Sequence, residues 1–166
     1  VQGASLSDPE GDGLVENLHF EGLVFTKGQR MTMGERTVPE SSANARAGSL
    51  LALIDTKNCS VEHCRFENSG GSAISLNQTS RNNRIEGNNI KGLGGTGIEI
   101  SGVRNGHGSP SSGNQLIGNQ IHHIGEADWS ARGISLSGSS GNLIAHNLIH
   151  HTPYNGMSLA GPSEDN

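Results

Sequence analysis

Residues 83–102 read NRIEGNNIKGLGGTGIEISG, and their spacing decides the fold. Ile85, Asn88 and Ile90 form a short element: an apolar residue, two residues, Asn, one residue, a second apolar residue. Eight residues past Ile90 stands Ile98, which opens the alternating run Ile98-Glu99-Ile100 behind the small Gly97. The unit recurs on both sides of this stretch. Leu116, Asn119 and Ile121 lead, after five extra residues, to Gly133-Ile134-Ser135-Leu136. Ile144, Asn147 and Ile149 lead to Gly156-Met157-Ser158-Leu159. Val61, Cys64 and Phe66 lead to Ala73-Ile74-Ser75-Leu76, with Cys in the Asn position. A weaker copy, Phe20, Leu23 and Phe25, precedes Leu51-Ala52-Leu53 across a long insertion. The bare unit is 24 residues, as from Val61 to Ile85.

Alternation within each pair puts Ile and Leu on one side and Ser or Glu on the other, which is the periodicity of a strand. Three apolar-bearing segments per unit predict three short strands per coil, and each coil buries its apolar residues only when stacked on its neighbours about 4.8 Å away. Strands are preferred to helices because the apolar residues lack a 3.6-residue period and Gly or Asn recurs every few residues. Asn at the bend between two strands tolerates left-handed backbone. Asn88, Asn119 and Asn147 are therefore expected to form a bonded column that Cys64 continues as a small buried residue. The fold class is all-β, a parallel solenoid of about five coils covering residues 1–166 as a single domain.

Composition agrees. Twenty-five Gly and 16 Asn in 166 residues suit a turn-rich chain, and hydrophobic residues reach only 31%, against roughly half in ordinary globular domains. A net charge of −5 argues against a nucleic-acid partner, which needs clustered Lys and Arg. No apolar run approaches the roughly 18 residues of a membrane span, and no basic region precedes an apolar stretch as a signal peptide would require. Cys59 and Cys64 are five apart, about 16 Å in an extended coil and too far for a disulfide, so free thiols are expected with Cys64 buried.

The stretches VENLHFEGLVFTKG, CSVEHCRFENSGGSAISL, NRIEGNNIKGLGGTGIEISG and NLIAHNLIHHTPYNGMSLAG resemble the right-handed parallel β-helix of the pectate-lyase-like superfamily over residues 14 to 161. Within it the likeness is to bacterial polysaccharide-active glycoside hydrolases of the α-fucosidase and xylanase type. The resemblance implies a secreted, periplasmic or cell-surface protein, a polysaccharide or oligosaccharide partner, and a substrate groove on the face formed by the strand at residues 97–100. It also implies a longer parent, so this chain reads as a solenoid truncated at both ends, with end-to-end stacking on another chain as the alternative. The last coil is expected to stop near Gly161. No cofactor is implied.

Insertions at about 27–48, 102–114 and 125–132 flank the groove-face strands, where solenoids usually add function. The outward positions on that face are Ala52, Ser75, Glu99, Ser135 and Ser158, and Glu99 is the lone carboxylate among them. Asp128 or Glu126, in the loop before the fourth such strand, would supply the second acid of a glycosidase pair, and Glu99 with Asp128 are the catalytic candidates. Trp129 and Tyr154 would offer flat rings to sugar C–H groups, and Arg132 would bind a sugar carboxylate. His122-His123 and His150-His151 share a register and should stack; His122 and His150 join the substrate-contact candidates. The histidines suit acid–base or transition-metal chemistry as well as a structural ladder, but no third ligand is evident, and a metal centre is not expected. Two other readings stand beside hydrolysis: a non-catalytic glycan-binding, adhesin or structural module, and a polysaccharide lyase or epimerase.

Overall fold

The computed structural model describes residues 1, 13–28, 48–102, 111–161 and 163–166. Most of the expected insertion at 27–48, and residues 103–110 of that at 102–114, lie outside the described residues. The chain winds through five turns, each laying one strand on each of three parallel five-stranded sheets. The first turn contributes His19–Glu21, Val24–Thr26 and Ser49–Ile54; the second Ser60–Glu62, Arg65–Ser69 and Ser72–Asn77; the third Arg84–Glu86, Asn89–Leu93 and Ile98–Ser101. The fourth contributes Gln115–Ile117, Gln120–Ile124 and Ile134–Ser137, and the fifth Leu143–Ala145, Leu148–His150 and Met157–Ala160. We call the three stacks sheets I, II and III in that order. Crossovers between parallel strands are almost always right-handed, and this is a right-handed parallel β-helix.

Register follows the repeat. Val61, Ile85, Leu116 and Ile144 stand over one another in sheet I, and Phe25, Phe66, Ile90, Ile121 and Ile149 in sheet II. Sheet III stacks Leu51, Ile74, Ile98, Ile134 and Met157. These columns meet in a single core, fully buried through the middle turns. Each buried Leu or Ile side chain contributes about 1.5–3 kcal/mol, and the Phe25 and Phe66 rings stack at 4.6 Å.

Two features go beyond the sequence reading. A fourth, short ladder joins sheet III back to sheet I: Val15–Glu16 pairs with Thr56–Lys57, Ser111–Ser112 with Ser139–Ser140, and Arg81 and Glu164 extend it as single bridges. Residues 111–114 of the expected insertion thus belong to the ladder and its bend. The last coil also does not stop at Gly161, because Glu164 pairs with Ser140 and the Asn142 amide donates to Asn166 Oδ1 at 3.1 Å.

The second feature is a second bend column. Between sheets I and II, Cys64, Asn88 and Asn119 each donate a backbone N–H to the Oδ1 of the next residue in the column, at 2.9, 3.1 and 2.9 Å, ending on Asn147. Between the fourth ladder and sheet I, Cys59, Asn83 and Asn114 do the same onto Asn83, Asn114 and Asn142, at 3.0 Å each. Every bend is made by a left-handed residue directly before the column: His63, Gly87, Gly118 and His146 in one, Asn58, Asn82, Gly113 and Gly141 in the other. Cys59 and Cys64 are both free and both buried; five residues is the spacing between the two bends of one turn. Other turns press backbone on backbone. A Cβ at Gly102 would lie 1.8 Å from Gly138 O, so no larger residue fits there without a shift.

Candidate functional site

The outward column of sheet III is the one expected: Ala52, Ser75, Glu99, Ser135 and Ser158 pair in order. Hydroxyls dominate it. Ser75 Oγ lies 2.8 Å from Ser49 Oγ and accepts from Asn77 Nδ2 at 3.2 Å, while Ser158 Oγ donates to Ser135 Oγ at 3.4 Å. Asn77 is a polar neighbour the sequence reading missed, although the alternation Ser75-Leu76-Asn77 carries its outward direction.

Glu99 is half-buried at the centre of this column. Burial disfavours its charged form and raises its affinity for a proton above the ordinary carboxylate value, with the Arg132 charge pulling the other way. Arg132 approaches strand Ile134–Ser137 from the preceding loop, anchored by its N–H to Thr96 Oγ1 at 3.3 Å. Its guanidinium sits 5.5 Å from the centre of the Tyr154 ring, within reach of a cation–π attraction, and its Nε is buried without a hydrogen-bond partner. Glu99 thus feels the charge of Arg132, whose guanidinium lies over the Tyr154 ring.

The loop before that strand is tied down by Glu126 N–H on Leu93 O at 3.0 Å and Ala131 N–H on Asp128 O at 3.0 Å. Asp128 Oδ1 accepts from both Ser130 N–H, at 2.9 Å, and Ser130 Oγ, at 2.7 Å. Its carboxylate holds the loop's own turn. Trp129 beside it is 85% exposed and Tyr154 59%, so neither ring covers the core; both are presented to solvent.

The histidines occupy a different face. His122 pairs with His150 on the outside of sheet II. The rings stack coil over coil as expected, His122 on His150 at 4.9 Å and His123 on His151 at 4.4 Å. Within each turn the Nδ1 atoms approach to 2.8 Å in His122–His123 and 2.6 Å in His150–His151. His122 is held below the usual histidine pKa by partial burial first, then by the like charges of His150, His123, Lys91 and His151. Among the described residues no three His, Cys, Asp or Glu side chains are grouped as metal ligands.

A family profile describing the right-handed β-helix region matches residues 14–120 and, overlapping, 49–166. No curated protein and no solved structure is significantly similar to the chain. Stacked parallel ladders, repeat-borne Asn columns and a profile match across nearly the whole length agree: the chain belongs to the right-handed β-helix family.

Proposed function

We propose that the outer face of sheet III contacts carbohydrate and that Glu99 is the proton donor of a glycoside hydrolase acting on a polysaccharide. The observation that carries this reading is the environment of Glu99: a carboxyl group raised in proton affinity by burial, in an outward column where Ser75, buried, and Ser135, half-buried, stand on either side of it. Protonating a glycosidic oxygen is the task of a general acid, and a raised proton affinity suits a carboxyl group to it. Ser135, half-buried beside it, serves as a hydrogen-bond partner for sugar hydroxyls. The Tyr154 and Trp129 rings supply apolar faces, and Arg132 supplies a positive charge for an anionic sugar. Asp128 serves as the second carboxylate in this reading.

The bonds from Ser130 to Asp128 Oδ1 favour a second reading, glycan binding without turnover, because they give that carboxylate a structural task. A panel of neutral and uronate-bearing polysaccharides, assayed for both binding and product release, separates the two. The hydrolase reading expects cleavage by the wild type and at least a hundredfold loss in Glu99→Gln with binding kept, the scale of a lost general acid. Binding with no product points to the module. Product absorbing in the ultraviolet as an unsaturated uronate points to a lyase. No binding to any glycan removes the carbohydrate reading altogether.

A further inference from the structure

The four imidazoles outside sheet II take no part in that reading. Along this column the left-handed backbone position is Asn68, Gly92, His123 and His151 in successive turns, with φ of 55, 61, 51 and 52°. A left-handed residue breaks the in–out alternation of the strand, so the residue before it and the residue itself both point outward. In the second and third turns the resulting pairs are Glu67-Asn68 and Lys91-Gly92. In the fourth and fifth turns both members are His, and each ring brings its Nδ1, the nitrogen nearer the backbone, against its neighbour's.

We propose that the pairs His122–His123 and His150–His151 form a surface site for a borderline transition-metal dication, Cu²⁺ in preference to Ni²⁺ or Zn²⁺. Two nitrogens that each sit about 2.0 Å from one cation at a right angle are about 2.8 Å apart, and a right angle between ligands is what tetragonal Cu²⁺ prefers. The Nδ1 separations of 2.8 and 2.6 Å match that span. Without a cation, each close pair needs one shared proton between two lone pairs; the metal takes the place of that proton. Imidazole is a ligand for this class of ion, and copper heads the affinity order for nitrogen sites. The second pair lies one turn away, at ring separations of 4.4 and 4.9 Å, so four nitrogens are presented along one edge. Lys91, next in the ladder to His122, is the opposing charge, and Glu67 offsets it at 3.7 Å. Water completes each coordination sphere, so the binding is that of a two-nitrogen chelate.

The test is a titration of the whole chain with Cu²⁺ alone, followed by calorimetry and by electron paramagnetic resonance. The wild type should show nitrogen hyperfine structure from at least two imidazoles. The double variant His123→Asn with His151→Asn keeps residues that the left-handed position accepts, as Asn68 does in the second turn, and should bind about tenfold or more weakly, a change of about 1.4 kcal/mol or more. Proton resonances of the His122, His123, His150 and His151 rings should broaden first at substoichiometric Cu²⁺, a readout that needs no variant. Broadening confined to His19, His63 or His146, absence of nitrogen coupling, or unchanged affinity in a folded double variant would each overturn the site.

Discussion

Cys64 heads a column otherwise built of asparagine. Its backbone N–H bonds to Asn88 Oδ1 at 2.9 Å, but its thiol, 3.2 Å from Glu62 O in its own turn, lies 3.6 Å from Phe20 O, where Asn88 Nδ2 meets Val61 O at 2.9 Å one turn on. A thiol is a weak donor and an amide a good one. Cys64→Asn should therefore extend the column by a turn and raise the urea midpoint by the equivalent of about 0.5–1.5 kcal/mol. A lowered midpoint would mean that the larger side chain does not fit beneath the first turn. Glu99 gives a residue-scale prediction of the other kind. Its folded-state pKa lies above its unfolded value, so the stability linked to its proton is present in full below the ordinary value of 4.5 and is lost as pH rises through the folded value. Glu99→Gln removes the charge that must be desolvated. Thermal melts should show the variant more stable than wild type at pH 7, with the difference vanishing below pH 4.5. An equal difference at both pH values would show that burial does not govern this group. The proton affinity of Glu99 was not legible in the sequence. Alternation placed it outward, but what raises its pKa is how deeply the turns on either side enclose it. The bonds from Ser130 to Asp128 were hidden for the same reason: they depend on how the loop folds back on itself.

At the scale of the element, the bend columns do what the hydrophobic columns cannot, which is to fix one turn's rotation against the next. Asn119 Oδ1 accepts from both the backbone and the side chain of Asn88, and its Nδ2 donates to Ile85 O and Asn147 Oδ1. Asn119→Ala would leave a buried N–H and a buried carbonyl unpaired, each at about 1–3 kcal/mol. A loss of about 3 kcal/mol or more is expected in chemical denaturation, and a smaller loss at Asn147, which is only half-buried. Equal losses at the two positions would show that burial of the column is not what gives it strength. One of these columns was legible because Asn88, Asn119 and Asn147 sit between two apolar residues. The other was written in the same units, as Asn83, Asn114 and Asn142 five residues earlier, but polar residues or glycine precede each of them, so no apolar pair brackets it. The fourth ladder carried no signal at all. Apart from Val15, its members, among them Thr56-Lys57, Arg81, Ser111-Ser112 and Ser139-Ser140, are polar, and polar residues in short extended segments read as loop. The histidine stack belongs to this scale too. His122 binds its proton less tightly folded than unfolded, so its contribution is complete above the ordinary value of 6.5 and is lost as pH falls through the folded value. Acidification from pH 7 should lower the melting temperature, and His122→Gln should flatten that slope. An unaltered slope would assign the acid sensitivity to other groups.

For the whole molecule, stability in a solenoid is close to a sum over turns and their interfaces. Ile85, Ile90, Ile98, Ile100, Leu116 and Ile121 are fully buried in the third and fourth turns, while Leu143, Leu148, Met157 and Leu159 of the fifth are about half exposed. Amide hydrogen exchange should therefore be slowest at the middle turns and fastest in Leu148–His150 and Met157–Ala160. Uniform protection would mean that the chain opens only as one unit.

Asn83 and Asn114 hold equivalent places in their column, 31 residues apart. Joining Asn82 to Asn114 would delete one whole circuit, Glu99 included, and set the Cys59 amide opposite Asn114 as it now faces Asn83. Such an excision keeps every later strand in phase, whereas losing a few residues within a strand would throw the downstream rungs out of step. The rod can change length only by whole circuits, like a chain shortened by removing complete links, and the protein without its proposed acid is already spelled out in its own sequence.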